Sequence, residues 1–225
     1  MSDADWYRRW EAGQIGFHVP VVNPLLCKHW SEIDAGQRVF VPLCGKTLDL
    51  SWLAERGHDV VGVELVEQAV TEFFAEAGLT PTVDDVAGGR RYRHGAITIY
   101  AADIFALDDG ELGRFDCVYD RAALIALPTG VRPRYVRRLL DVLRPGATGL
   151  LVSFDYDQSR MQGPPYSVPA AEFKSLFGNA VQWRCLAADG DALAHNAKFA
   201  ERGLESLTES VWLLQVADDG RTEKK

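Results

Sequence analysis

The feature that most constrains this chain is an alternation, from residue 37 to residue 154, of short β-rich runs with segments of helical period. Such a pattern specifies a parallel sheet covered by helices, because parallel strands need long crossovers that helices supply. Arg38-Val39-Phe40-Val41 reads as a first buried strand, Leu43 to Thr47 as a turn, and Leu48 to Arg56 as a helix stopped by Gly57. Asp59 to Val63 is the second strand, and Val66, Val70, Phe73, Phe74 and Ala77 stripe one face of the helix after it. Residues 79–96, rich in turn formers, read as an exposed excursion before a third strand at 96–100. Phe115–Tyr119 and Gly149–Phe154 are the fourth and fifth strands. Tyr135 to Leu143 stripe the helix between them, which ends at Arg144-Pro145-Gly146. Ala170 to Phe177 reads as a short helix, and residues 181–186 and 210–216 as a terminal antiparallel pair.

At 225 residues and 47% hydrophobic, the chain can bury one sizeable core but not two comfortable ones. The expected organisation is one domain over residues 1–225: an aromatic cap at 1–34, a doubly wound core at 35–217 and a frayed tail at 218–225. Trp6, Trp10, Phe17 and Trp30 lie outside the alternating pattern and are too apolar to leave in water, so the cap is expected to pack over one rim of the sheet.

Thirty-two acidic against 24 basic residues give a net charge of −8, which argues against a nucleic-acid face or a polybasic membrane surface. No apolar run approaches the roughly 20 residues of a membrane helix. The start, Met1 to Trp6, lacks the features of a secretory signal, so a cytoplasmic location is expected. A monomer is expected in the absence of heptads. The four cysteines form no Cys-x-x-Cys pair and the five histidines lack ligand spacing, so no disulfide framework and no metal is assigned.

In a doubly wound sheet, ligands sit beyond the carboxyl ends of the strands, so the residues just after each strand carry the chemistry. Here they are Pro42-Leu43-Cys44-Gly45-Lys46, then Glu64, Asp103-Ile104 and Asp120-Arg121. Glu64 lies 19 positions after Gly45, close to the interval at which an acidic residue meets the ribose hydroxyls of a nucleoside. Taken alone it is equally well a solvated acid at a strand end. Gly45-Lys46-Thr47 suggests a phosphate loop but fails on spacing, since Phe40 stands where the other glycine belongs. The Gly-x-Gly-x-x-Gly of dinucleotide enzymes is also absent. A single-glycine turn suits a nucleoside without a diphosphate, such as S-adenosylmethionine.

Several blocks then resemble one family closely. They are Trp6-x-x-x-Trp10, Gln14-Ile15-Gly16-Phe17-His18, Val41-Pro42-Leu43-Cys44-Gly45-Lys46, Arg56-Gly57-His58-x-Val60-x-Gly62-Val63-Glu64 and Tyr119-Asp120-Arg121-Ala122-Ala123-Leu124-Ile125-Ala126-Leu127. Gly163-Pro164-Pro165-Tyr166-x-Val168-Pro169 and Arg184-Cys185-Leu186 extend the match. Together they resemble the thiopurine S-methyltransferases, in their bacterial branch. The resemblance implies a Rossmann-like class I methyltransferase: a mostly parallel doubly wound α/β sheet, helices on both faces and an antiparallel C-terminal strand. It implies that Trp6, Trp10 and Phe17 enclose S-adenosylmethionine, that Leu43 and Gly45 contact it, and that Glu64 holds its ribose. Asp103 and Ile104 would lie beside the adenine, and Arg121 would face both cofactor and methyl acceptor, leaving S-adenosylhomocysteine as product.

The implied reaction is methyl transfer to the sulfur of a thiopurine or another small aromatic thiol, in a detoxifying role. Animal members carry a second acceptor-facing arginine beyond Arg184-Cys185-Leu186. Here that region runs from Asp189 to Lys198 without one, and selenium or tellurium oxyanions are the alternative acceptors. His18, His195 and Lys198 stay open as acceptor contacts. Each site reading has a plainer counterpart: Arg121 could form an ion pair with Asp120, Trp6 and Trp10 share a helix face as core residues do, and Cys44 is read as packing. Rival classes are a nicotinamide oxidoreductase, which lacks its multi-glycine turn here, and a non-catalytic cofactor-binding protein.

Overall fold

The computed structural model describes residues 3–33 and 36–218. Among the described residues nine strands form one sheet: β1 (Arg38–Pro42), β2 (Asp59–Glu64), β3 (Thr82–Val86), β4 (Gly89–His94), β5 (Ile97–Ala102), β6 (Phe115–Arg121), β7 (Leu143–Asp155), β8 (Val181–Asp189) and β9 (Thr208–Val216). Their order is β3-β4-β5-β2-β1-β6-β7-β9-β8. The central five, β5, β2, β1, β6 and β7, are parallel. β9 runs antiparallel between β7 and β8, which completes the expected class.

Alternation along β1 shows why these runs become buried strands: Val39 and Val41 enter one apolar cluster and Phe40 the other. The first face is covered by α3 (Asp49–Ala54) and α4 (Glu67–Glu76), through Leu50, Leu53, Val70, Phe73 and Phe74. The second is covered by α7 (Arg132–Val142) and α8 (Ala170–Phe177), through Tyr135, Val136, Leu139 and Phe173. Short helices α5 (Asp109–Leu112) and α6 (Ala123–Ala126) flank β6, and α9 (Ala197–Glu201) lies in the excursion between β8 and β9.

Three expectations are corrected. Residues 79–96 are not a loose excursion: β3 and β4 form a hairpin that extends the sheet beside β5. Their polarity belongs to an edge, where Arg90, Arg91 and Arg93 pair with Asp84 and Asp85, and charged side chains discourage further pairing. Gly89 is needed there, because a Cβ would stand 2.3 Å from the Ala101 carbonyl oxygen. β6 continues through Asp120 and Arg121, so these are strand residues rather than part of a following turn. β7 begins at Leu143, so Arg144-Pro145-Gly146 lies within its irregular start and not in a helix terminus. Of the tail expected at 218–225, residues 219–225 lie outside the described residues.

The N-terminal segment divides in two. α1 (Asp3–Glu11) carries Asp3 and Asp5 in its first turn and Arg8 and Arg9 in its last, which complements the helix dipole. α2 (Pro24–His29) starts from Asn23, whose side chain accepts the Leu25 amide, with proline in the first turn. Trp6, Trp10 and Phe17 gather against Val66 and Ala69 at the start of α4. Trp30 joins a different cluster, edge-on to Tyr119, with its indole N–H donating to His58 Nε2 at 3.1 Å. The four aromatics therefore do not share one rim. Trp30 is structural, and only the first three reach the carboxyl ends of the strands.

Candidate active site

The carboxyl ends of β1 and β2 are locked together by Glu64. Its side chain is 8% exposed, and it accepts the Gly45 amide at 2.8 Å through Oε2 and the Val66 amide at 2.9 Å through Oε1. Burial raises its pKa, while the Val66, Gly45 and Leu65 amides pull in the opposite direction. Leu43 holds φ at +47° and Gly45 at +54°, so the chain turns away from the sheet within a few residues. A Cβ on Gly45 would lie 3.6 Å from the Trp10 ring. The aromatic cap therefore rests on the glycine turn itself. Trp6 and Trp10 meet Phe17 edge-on, at 5.6 and 5.8 Å between centroids.

Lys46 is committed elsewhere. Its Nζ lies 2.7 Å from both Glu72 and Glu76 on α4, so it does not serve a phosphate. Cys44 is buried, and burial pushes its thiol well above the ordinary range; it packs, as read. Asp103, after β5, accepts the Phe105 amide at 2.9 Å. Ile104 is 5% exposed and sits in the core cluster, with its carbonyl held by Arg138 Nε at 3.0 Å.

At the end of β6, Asp120 is 1% exposed and accepts the Ala123 and Leu124 amides at 3.0 and 3.2 Å through Oδ1, and the Tyr135 hydroxyl at 2.6 Å through Oδ2. Burial, against those three donors, pushes its pKa up to about 6. Asp120 therefore serves amides and a phenol rather than pairing with Arg121. Among the described residues Arg121 forms no ion pair. It is close enough to His18, Lys198 and Glu209 to shift their proton affinities. His18 is held below its usual value by burial, then by Lys46 and Arg121, against the opposing pull of Glu76 and Glu72. Ala122, which follows Arg121, has φ +88°. Leu43 and Ala122 are the non-glycine residues with positive φ among the described residues, and they end adjacent strands, where such strain gathers at functional sites.

The fold thus brings together Trp6, Trp10, Phe17, Gly45 and Glu64, places Leu43, Asp103 and Arg121 at the neighbouring strand ends, and turns the Ile104 side chain inward. One residue and one contact were missed. Tyr7 donates its hydroxyl to the Leu65 carbonyl at 3.1 Å. Burial, then Asp3, Glu64, Glu67 and Asp103, raise its pKa, so it lies within reach of the Glu64 and Asp103 charges. Its position on α1, three residues before Trp10, was a usable signal. Lys198 donates to the Gly16 carbonyl across 182 residues, which no local pattern could announce.

Comparison with solved structures defines the fold, which is that of Rossmann-like class I methyltransferases. A Burkholderia thailandensis 1,6-didemethyltoxoflavin-N1-methyltransferase, solved with 1,6-didemethyltoxoflavin and S-adenosylhomocysteine, superposes with a TM-score of 0.64 over 96% of this chain and 87% of its own, at 17% identity. An arsenic(III) S-adenosylmethionine methyltransferase from Chlamydomonas reinhardtii gives 0.57 over 84% of this chain and 67% of its own, at 21% identity. At these identities the likeness is one of fold. The model of the thiopurine S-methyltransferase family matches residues 1–217, and the chain belongs to that family. It is 51% identical to a thiopurine S-methyltransferase of Pseudomonas paraeruginosa over 213 residues, 93% of this chain and 97% of the relative. It is 48% identical to one of Azotobacter vinelandii, over 96% and 99%.

Proposed function

We propose that this protein transfers the methyl group of S-adenosylmethionine to the sulfur of a thiopurine or another small aromatic thiol. The observation that carries the reading is Arg121: a guanidinium at the end of β6 that Asp120 does not neutralise, one strand removed from the β2 end where Glu64 stands. The relatives' names and their near-complete overlap support it.

The residues present fit the donor. Beyond the amides it accepts, the Glu64 carboxylate has acceptor capacity left for the ribose hydroxyls. Gly45 offers a turn without a side chain, Leu43 belongs to the same turn, and Asp103 with the Ile104 backbone would meet the adenine from the end of β5. Trp6, Trp10 and Phe17 form an aromatic wall of the kind that suits a sulfonium cation and excludes water. When bound, S-adenosylmethionine supplies an electrophilic methyl group. Arg121 favours the acceptor as thiolate and orients it, since a fixed guanidinium stabilises the anion. The acceptor's proton leaves to solvent, and alignment rather than a strong base carries the rate. Residues 1–34 act as a cap on a core spanning 35–217, in a cytoplasmic monomer with a detoxifying role.

The test is mass-spectrometric detection of S-methyl product from S-adenosylmethionine and 6-mercaptopurine, with Arg121→Ala as control. Product that falls at least about a hundredfold in the control is the expected result, because a lost charged contact in the transition state costs about 3 kcal/mol. Binding of the cofactor without product overturns the thiopurine acceptor, and sends the search to selenite, tellurite and other small thiols.

A further inference from the structure

The excursion between β8 and β9 reaches the N-terminal cap at one polar point. Lys198, on α9, donates its ammonium to the carbonyl of Gly16. Gly16 immediately precedes Phe17, whose ring supports both Trp6 and Trp10, and Trp10 rests over Gly45. The backbone of the same segment is folded tightly by the Gln14 amide donating to Arg9 and the His18 amide to Ile15, at 2.8 and 2.7 Å. From residue 198 to the cofactor turn there is thus a continuous chain of contacts. α9 is itself anchored: Phe199 is buried beside Phe154, and Arg202 Nη1 reaches the Pro164 carbonyl at 3.4 Å.

We infer that Lys198 is a positioning residue for the methyl-donor site, holding the Gly16 carbonyl so that Phe17 seats the aromatic cap over Gly45. The inference rests on the proposed use of that cap in cofactor binding. A lysine suits the task because its ammonium is a compact donor on a flexible stem, and a carbonyl is a neutral acceptor that tolerates the nearby cations. Desolvation, then Arg121 and Arg202, lower the Lys198 pKa, so the amine stands among positive groups and the Gly16 carbonyl is its stabilising contact. The cap is thereby tied to the same excursion that flanks the acceptor side near Arg121.

The experiment compares the full-length wild type, Lys198→Met and Lys198→Arg. Hydrogen exchange is followed in peptides covering residues 6–18, and S-adenosylhomocysteine affinity is followed by calorimetry. Lys198→Met is expected to speed exchange in those peptides and to raise the dissociation constant roughly fivefold, the scale of one partly exposed charged hydrogen bond. Lys198→Arg is expected to restore both, with melting temperatures of all three within about 2 °C, as for a surface change away from the core. Unchanged exchange and unchanged affinity in Lys198→Met overturn the inference. So does a loss that tracks a fall in melting temperature and is not rescued by arginine. If the wild type itself fails to bind S-adenosylhomocysteine, the proposed function falls; if it binds and Lys198→Met binds equally, only the role of Lys198 falls.

Discussion

The two carboxylates at the strand ends, Glu64 on β2 and Asp120 on β6, invite comparison because they are built alike and used differently. Each is buried, each accepts two backbone amides, each has its pKa raised by burial, and each stands beside a turn that holds a non-glycine residue at positive φ. They differ in what completes them. Asp120 is closed off by the Tyr135 hydroxyl at 2.6 Å, so its second oxygen faces the core. Glu64 accepts no side-chain donor among the described residues, and stands beside the turn on which the aromatic cap rests. One carboxylate has the role in donor binding proposed above; the other holds the shape of the turn that follows Arg121.

The sharpest way to break this comparison is Asp120→Ala. It strands two amides and a phenol in the interior, and should cost about 4 kcal/mol in urea unfolding, since each buried unpaired group costs on the order of 1–3 kcal/mol. A loss no larger than that of Glu64→Ala would show that Asp120 is not the sealed member of the pair. The next effect is one of pH. Because the folded-state pKa of Asp120 is raised to about 6, its contribution is fully present below the unfolded value near 4 and is lost as pH rises through 6. The stability difference between wild type and Asp120→Asn should therefore shift by about 2 kcal/mol against the wild type between pH 4 and pH 7, measured by denaturant titration at each pH. A flat difference would remove the buried titration.

Glu64→Gln sharpens the ligand half. It keeps one amide acceptor and loses the charge, so S-adenosylhomocysteine affinity should fall about 30-fold, about 2 kcal/mol, in calorimetry. Equal binding by the variant would return Glu64 to the role of a turn lock alone. The smallest effect belongs to Ala122→Gly. Relief of the positive φ should leave stability unchanged or raise it by up to about 1 kcal/mol, while turnover falls severalfold because Arg121 loses its fixed direction. Unaltered turnover would mean that the Ala122 conformation has no part in aiming Arg121.

Much of this was legible beforehand, for a physical reason. The parallel strands are buried on both faces, so they appear as unbroken apolar runs such as Val39-Phe40-Val41 and Val60-Val61, and the helices between them carry clear stripes. The hairpin of β3 and β4 was hidden because an edge needs charge, and Asp84, Asp85, Arg90, Arg91 and Arg93 look like a loop until their cross-strand pairing is seen. Motif positions placed Glu64 and Arg121 correctly at the strand ends, yet could not show that Asp120 turns to Tyr135 or that Trp30 leaves the other aromatics for His58. Contacts such as Lys198 to Gly16 depend on the closed fold alone.

The place of β9 has a consequence for synthesis. This strand, residues 208–216, is paired on both sides, yet it is the last strand of the described residues. A nascent polypeptide that has left the ribosome only as far as residue 207 carries all the parallel strands, but β7 still presents an open edge along eight future partners, from Thr148 to Asp155. Unpaired edges recruit other chains. Between emergence of β7 and arrival of β9 the sheet thus keeps an open edge, and a truncated chain ending there would carry an incomplete sheet.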